Sequence, residues 1–248
     1  MARYFIQVSY NGAKYAGFQI QNNANTIQAE IQKALSIFFK TNFALTCSSR
    51  TDAGVHALNN FFHLDAENFT DDENLEKIIY SINSILPTDI VIKRIYRVPE
   101  TSHCRFDALS REYKYYIYIS KNPFYADRAF YYPYKLDIDK LNQAAELLLR
   151  YSDFTTFSKK NTQVKTFDCK ISQSKWIQEE SLLIYQVQAN RFLRGMVRGL
   201  VGTMLKVGTG KISIEFFKKT IESKDCRNAS FAVPPQGLFL IDVKYPWE

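Results

Sequence analysis

The sequence predicts an α/β fold built from two related halves. Three features predict it. Runs that alternate apolar and polar residues sit between segments with helical spacing. Up to Val98 these come in the order strand, helix, strand, strand, helix, strand. A similar series begins again at Arg111. The order is that of the ferredoxin-like (RRM-like) unit, so the expected division is an N-terminal α/β half over residues 1–104 and a C-terminal one over 105–248.

From Arg3 to Tyr10, Tyr4, Ile6, Val8 and Tyr10 fall on one face of a strand, which Asn11-Gly12 closes with a turn. Asn25, with Gln28 three residues on, marks a helix start, and Ile27, Ile31, Leu35 and Phe38 form its apolar stripe. Phe43–Cys47 and Val55–Leu64 read as strands. Thr70 and Glu73 form a capping box for a second helix, with Leu75, Ile78, Ile79, Ile82 and Ile85 inward and Pro87 as its stop. Ile90–Val98 is the fourth strand.

In the second half, Tyr113–Ile119 is an aromatic and β-branched strand, and Leu141, Ala144, Ala145, Leu148 and Leu149 mark a helix. Leu182–Ala189 is a strand, Phe192–Val207 a helix, Ile214–Ile221 a shorter helix and Leu238–Val243 a closing strand. The tyrosine-rich stretch from Pro123 to Tyr134 is expected to cross between or over the halves.

Composition narrows the function. No signal peptide is evident, because Arg3 interrupts the start and no apolar core follows. No apolar run approaches the length of a membrane span. A cytoplasmic protein with no membrane partner is expected. The four cysteines are far apart and read as thiols of a reducing compartment. The net charge of +7 permits a polyanionic partner. His56, His63 and Asp65 are the nearest thing to a metal set, but two histidines seven apart on one strand face opposite sides, so no metal site is predicted.

The most informative stretch is Cys47-Ser48-Ser49-Arg50-Thr51-Asp52-Ala53-Gly54-Val55-His56-Ala57. Asp and Gly favour tight turns, so Asp52 should stand at a strand end between two pieces of sheet. That is a rigid mount for a carboxylate. Turn chemistry alone would also explain these residues.

Arg50 to Ala57 resembles the signature of the tRNA pseudouridine synthase A family. Further similar motifs occur in the family's order: Tyr10-Asn11-Gly12 with Gly17-Phe18-Gln19, Arg111-Glu112-Tyr113-Lys114-Tyr115, Asp153-Phe154-Thr155-Thr156-Phe157, Met196-Val197-Arg198-Gly199-Leu200-Val201-Gly202 and Gly237-Leu238-Phe239-Leu240. The resemblance implies two α/β halves joined in one continuous, mainly antiparallel sheet with a central cleft. It implies isomerisation of uridine to pseudouridine at positions 38, 39 and 40 of the tRNA anticodon stem-loop. It also implies a homodimer that needs no cofactor and no metal.

By the same resemblance Asp52 is the catalytic carboxylate, Arg198 its partner, and Tyr113 a platform for the target base that takes the proton leaving carbon 5. Arg50 fills the space of the extruded base, and Leu240 packs beside the site. Arg191, Arg194 and Arg198 lie within roughly 60° of one another on a helical wheel, which adds Arg191 and Arg194 as substrate contacts. Gly195, Gly199 and Gly202 lie on the next strip, where another backbone can approach closely. Lys159, Lys160, Lys165 and Lys175 are candidate phosphate contacts from charge alone.

Ser49 stands where the family usually has glycine, and Phe18 where it has tryptophan; neither change removes a reactive group. Two rival readings are a non-catalytic RNA-binding scaffold and a metal-dependent nuclease or hydrolase using Asp52, His56 and Asp65.

Overall fold

The computed structural model describes residues 1–66, 75–160 and 164–247. The expected capping box of Thr70 and Glu73 lies outside the described residues. The chain divides into two compact units, residues 1–109 with 240–248, and residues 110–239. The last nine residues thus return to the first unit.

In the first unit the order is β1 (Ala2–Tyr10), α1 (Ile27–Phe39), β2 (Thr46–Cys47), β3 (His56–Ala66), α2 (Leu75–Ile85) and β4 (Ile90–Val98). β1 lies between β3 and β4, antiparallel to both, and β2 pairs with β3, placing Cys47 opposite Phe62. The spatial order β4-β1-β3-β2 is the split β-α-β unit the sequence predicts. The helices cover the sheet with the residues their spacing places inward. Ile27, Ile31, Ala34 and Leu35 of α1 are buried, as are Leu75, Ile78 and Ile82 of α2. Burying each large aliphatic side chain is worth about 1.5–3 kcal/mol.

Two details of these helices differ from expectation. Thr26, not Asn25, caps α1, its side chain accepting from the Ala29 amide. Ile85 is exposed and Leu86 buried instead, because α2 ends at Ile85 and the chain turns inward before Pro87.

The second unit holds β5 (Ser110–Tyr118), β6 (Phe130–Tyr131), α3 (Ile138–Leu147), β7 (Ile171–Glu179), β8 (Leu182–Ala189), α4 (Met196–Gly208) and α5 (Ile214–Glu222). β9 (Leu238–Lys244) closes the chain, its residues from Leu240 onward counting with the first unit. β8 pairs antiparallel with both β5 and β7. The Pro123–Tyr134 stretch stays within the second unit, where β6 runs parallel to β5.

Tyr115 and Tyr185 face each other across β5 and β8 at the core of this unit. A buried phenol needs a partner, and each has one: Tyr115 donates to the Pro234 carbonyl at 2.7 Å, and Tyr185 shares a hydrogen bond with Ser174 at 2.8 Å. The expected helix from Phe192 starts later, at Met196. Gly195 takes a left-handed φ of 74° at its start, which a side-chain-bearing residue adopts poorly. Arg191 and Arg194 therefore precede the helix and share no helical face with Arg198.

Of the three glycines expected to admit another backbone, Gly202 does so, whereas Gly199 faces the Phe231 and Phe157 rings and Gly195 the Lys159 stem. A β-carbon on Gly202 would sit 2.2 Å from the Ser230 carbonyl oxygen. Alanine gains about 1 kcal/mol of helix propensity over glycine, whereas overpacking a tight contact costs about 1–3 kcal/mol. Gly202→Ala is therefore expected to lower the urea midpoint of unfolding. A raised midpoint would show that the segment around Ser230 yields freely.

Candidate active site

The Asp52 turn is held from several sides within the first unit. Between β2 and β3 the Asp52 carbonyl accepts the Val55 amide at 3.2 Å, with Gly54 at φ 74° in the turn's third position. A turn of this kind favours glycine there. The Phe18 amide donates to the Thr51 carbonyl and the Gly54 amide to the Tyr15 carbonyl. Gly12 lets the loop after β1 press on the turn, since a β-carbon there would lie 2.0 Å from the Val55 oxygen.

A buried polar network fixes the turn's base. The hydroxyls of Tyr10 and Thr51 meet at 2.8 Å, and Asn60 donates to the Tyr10 hydroxyl and to the Ser49 carbonyl. Sequence reasoning placed Tyr10 only as an inward strand residue and passed over Thr51 and Asn60 as anchors. The signal available was slight: Thr51 adjoins Asp52 in the turn, and Asn60 is one of several polar residues on β3. Phe18, at the position that departs from the family, is fully buried with its ring 5.9 Å from that of Tyr10. Ser49 is buried, and its carbonyl is the one Asn60 holds.

Asp52 is half-buried at the tip of this mount, and Arg50 is exposed beside it. Arg50 reaches the Cys47 thiol; burial raises that thiol's pKa while Arg50 and Arg105 pull it down. Leu240 is wholly buried and also belongs to the first unit.

Tyr113, Arg191, Arg194 and Arg198 belong to the second unit. Tyr113, in β5, is half-buried, and its ring meets Phe192 edge-on at 5.0 Å. Arg198, on the first turn of α4, donates through Nε to the Val233 carbonyl at 2.9 Å and through Nη2 to the Phe231 carbonyl at 3.5 Å. Its charge also acts on Tyr115, whose pKa burial drives up and Arg198 opposes. Arg191 contacts Thr166 at 3.4 Å, and Arg194 is exposed. Of the candidate lysines, Lys160, Lys165 and Lys175 are exposed, while the stem of Lys159 packs by Gly195.

The residues weighed as a metal set have other partners. His56 accepts from the Gly12 amide through Nδ1, and Asp65 pairs with Arg3 at 2.7 Å. The donor atoms of His63, His103 and Cys104 do lie within 4.8 Å of one another. Each has protein contacts: His63 Nδ1 accepts the Cys104 amide, His103 Nδ1 accepts the Arg105 amide, and the Cys104 thiol donates to the Thr46 carbonyl.

The family model described as tRNA pseudouridine synthase matches residues 6–107 and 144–246. The chain belongs to the tRNA pseudouridine synthase family. Among its relatives, the tRNA pseudouridine synthase A of Parabacteroides distasonis is 43% identical over 251 residues, covering 100% of this chain and 98% of the relative. That of Azobacteroides pseudotrichonymphae is 44% identical over 246 residues, covering 99% and 98%. That of Francisella tularensis subsp. novicida is 37% identical over 250 residues, covering 99% and 95%.

Burial, with Arg3 and His103 adding to it, pushes the His63 pKa down to about 4 from 6.5. Between those values the unfolded chain binds a proton that the folded one does not, so stability rises with pH across this window. Falling pH is expected to remove His63's contribution from about 6.5 downward. NMR titration of the His63 ring in the folded protein checks this; a midpoint near 6.5 would contradict it.

Proposed function

We propose that this chain isomerises uridine to pseudouridine in tRNA, at positions 38, 39 and 40 of the anticodon stem-loop, with Asp52 as the nucleophile. The observation that carries the reading is the mount of Asp52: a carboxylate at the tip of a turn clamped by Tyr10, Thr51 and Asn60, in a chain matched to the family over nearly its whole length. The reaction breaks the bond from the sugar to N1, turns the base and forms a bond from the sugar to carbon 5. Carbon 5 loses a proton and N1 gains one. No electron or phosphoryl group is transferred, so the chemistry calls for no cofactor and no metal.

Asp52 supplies the negative charge, either as a covalent nucleophile or in support of a cationic sugar. Arg198 is its counter-ion in this reading. Two of that arginine's five N–H donors serve the Val233 and Phe231 carbonyls, leaving three for an anion. Tyr113 receives the extruded base on its ring and accepts the carbon 5 proton. Arg50, exposed and two residues from Asp52, occupies the space the base leaves and touches phosphate. Leu240 shapes the wall. Arg191 and Arg194, together with Lys160, Lys165 and Lys175, are phosphate contacts. The enzyme acts as a homodimer in the cytoplasm. The four cysteines are free, and among the described residues no helix is long and apolar enough to cross a membrane.

The deciding assay is release of label from carbon 5 of uridine in an unmodified tRNA transcript, run in excess EDTA. Native protein should release label at positions 38 to 40, and Asp52→Asn should fall to background while still binding tRNA. Turnover by Asp52→Asn would remove the carboxylate from the mechanism. Strand cleavage that EDTA abolishes, with no release of label, would favour the metal-dependent hydrolase, and tight binding without release or cleavage the scaffold.

Removing one preorganised donor from a reacting centre typically costs about 100- to 1,000-fold in rate. With Arg198 as the counter-ion, Arg198→Ala is therefore expected to lower kcat/KM by at least about 100-fold. Near-normal turnover, with the thermal midpoint reduced, would confine this guanidinium to holding the Phe231 and Val233 carbonyls.

A further inference from the structure

The first unit carries a second feature suited to RNA, outside the catalytic turn. A depression of about 230 Å³ is lined by Arg50, Arg105, Phe106, His103, Thr46 and Cys47, among others. Pockets that enclose a whole small molecule usually measure about 300–1,000 Å³. This one suits a single part of a larger ligand. Among the described residues that line it there is no carboxylate, so its field is cationic.

Phe106 is 74% exposed, a large apolar surface to leave in water. Its ring is held in place all the same. His103 packs on it with centroids 4.2 Å apart, and the Arg105 guanidinium carbon lies 5.6 Å from its centroid. The backbone beneath is pinned as well. The Phe106 and Asp107 amides donate to the His103 carbonyl, and the Asp107 carboxylate accepts the His103 amide at 2.7 Å. An exposed aromatic ring packed by His103, with the Arg105 guanidinium beside it and Arg50 lining the same depression, is a stacking platform with anion donors nearby.

The other sizeable depression lacks this character. Lined by Lys159, Lys160, Lys224 and Asp225 in the second unit, it has Lys224 paired with Asp153 at 2.8 Å and Asp225 paired with Arg227. It also offers no exposed aromatic face comparable to Phe106.

We propose that the depression of the first unit receives one unstacked nucleotide flanking the target uridine, its base on Phe106 and its phosphate held by Arg50 and Arg105. The inference rests on the reading of this chain as an enzyme acting on tRNA. Taking a base out of its stack costs a few kcal/mol. A neighbour seated on an aromatic ring offsets part of that cost, so Phe106 and Arg105 act as positioning residues for the extrusion that precedes chemistry. Arg50 then links the two places, since it lines this depression and stands two residues before Asp52.

The test uses the full-length protein and an unmodified anticodon stem-loop RNA carrying 2-aminopurine, one position at a time, on either side of positions 38 to 40. Native protein should quench the probe at one flanking position. Phe106→Ala should lose that quench and raise KM about tenfold, with the loss falling on KM and not on kcat. Phe106→Trp should restore both. Tyr80→Ala, which removes a 76% exposed ring from α2, is the control for loss of surface aromatics in general. Unchanged KM and quench in Phe106→Ala would overturn the subsite while native turnover upholds the function. A raised KM with the quench intact would also overturn it, because Phe106 would then touch no base. Failure of the native protein to bind or turn over tRNA would bring down the function and the subsite together.

Discussion

The buried hydrogen bonds among Tyr10, Thr51, Asn60 and the Ser49 carbonyl are what the Asp52 turn of the first unit depends on. Apolar packing by itself would hold β1 against β3, since Ile6 faces Phe62 and Tyr4 faces Leu64 in register. It would not fix the angle at which the Asp52 turn leaves the sheet. Polar groups buried without partners cost about 1–3 kcal/mol each. Asn60, wholly buried, avoids this by donating twice and accepting from the Phe61 amide. Any tilt of the turn breaks one of these bonds in a place water does not reach. The network therefore trades adaptability for a single position of the carboxylate.

Charge is distributed by a related logic. Some cations pair with neighbouring carboxylates, as in Arg3 with Asp65, Arg128 with Asp127 and Lys140 with Asp137. Such exposed pairs add about 0–1 kcal/mol to stability. Their larger effect is to mute those parts of the surface. The Phe106 depression is lined by Arg50 and Arg105 and by no carboxylate. Net charge alone points to a polyanion; the proposed subsite rests on this local clustering of guanidinium groups.

Much of this was legible in the sequence, and the reasons are specific. Ile90–Val98 and Leu182–Ala189 were readable to the residue because each is a dense run of β-branched, aromatic and other apolar residues bounded by turn residues. β7 was missed. Its sequence is mostly polar, with Ile171, Trp176 and Ile177 as its apolar residues, and Ser174 takes one of the buried positions, so no apolar run announced the strand. The start of α4 was misjudged for the opposite reason. The apolar spacing of Leu193, Met196 and Val197 continues through Gly195, but the backbone there is left-handed. The amide of Arg191 is tied to the Asn190 side chain, and the Arg194 carbonyl accepts from Lys159. Periodicity records which residues face inward. It does not record where a glycine interrupts the chain.

The site residues divide along the same line. The place of Asp52 in a tight turn was legible because Asp and Gly mark one, whereas Asn60 and Thr51 act through bonds to backbone and hydroxyl groups that no spacing reveals. Arg198 shows how support of this kind bears on chemistry. A guanidinium already held by the Val233 and Phe231 carbonyls has lost much of its rotamer freedom before any anion arrives. The entropy of ordering it is then part of folding and not of the reaction, which is how a fixed charge comes to favour a transition state over the freely solvated substrate. The clamped turn of Asp52 and the tethered Arg198 are thus two instances of one device, in which each unit spends buried hydrogen bonds on the rigidity of a single charged side chain.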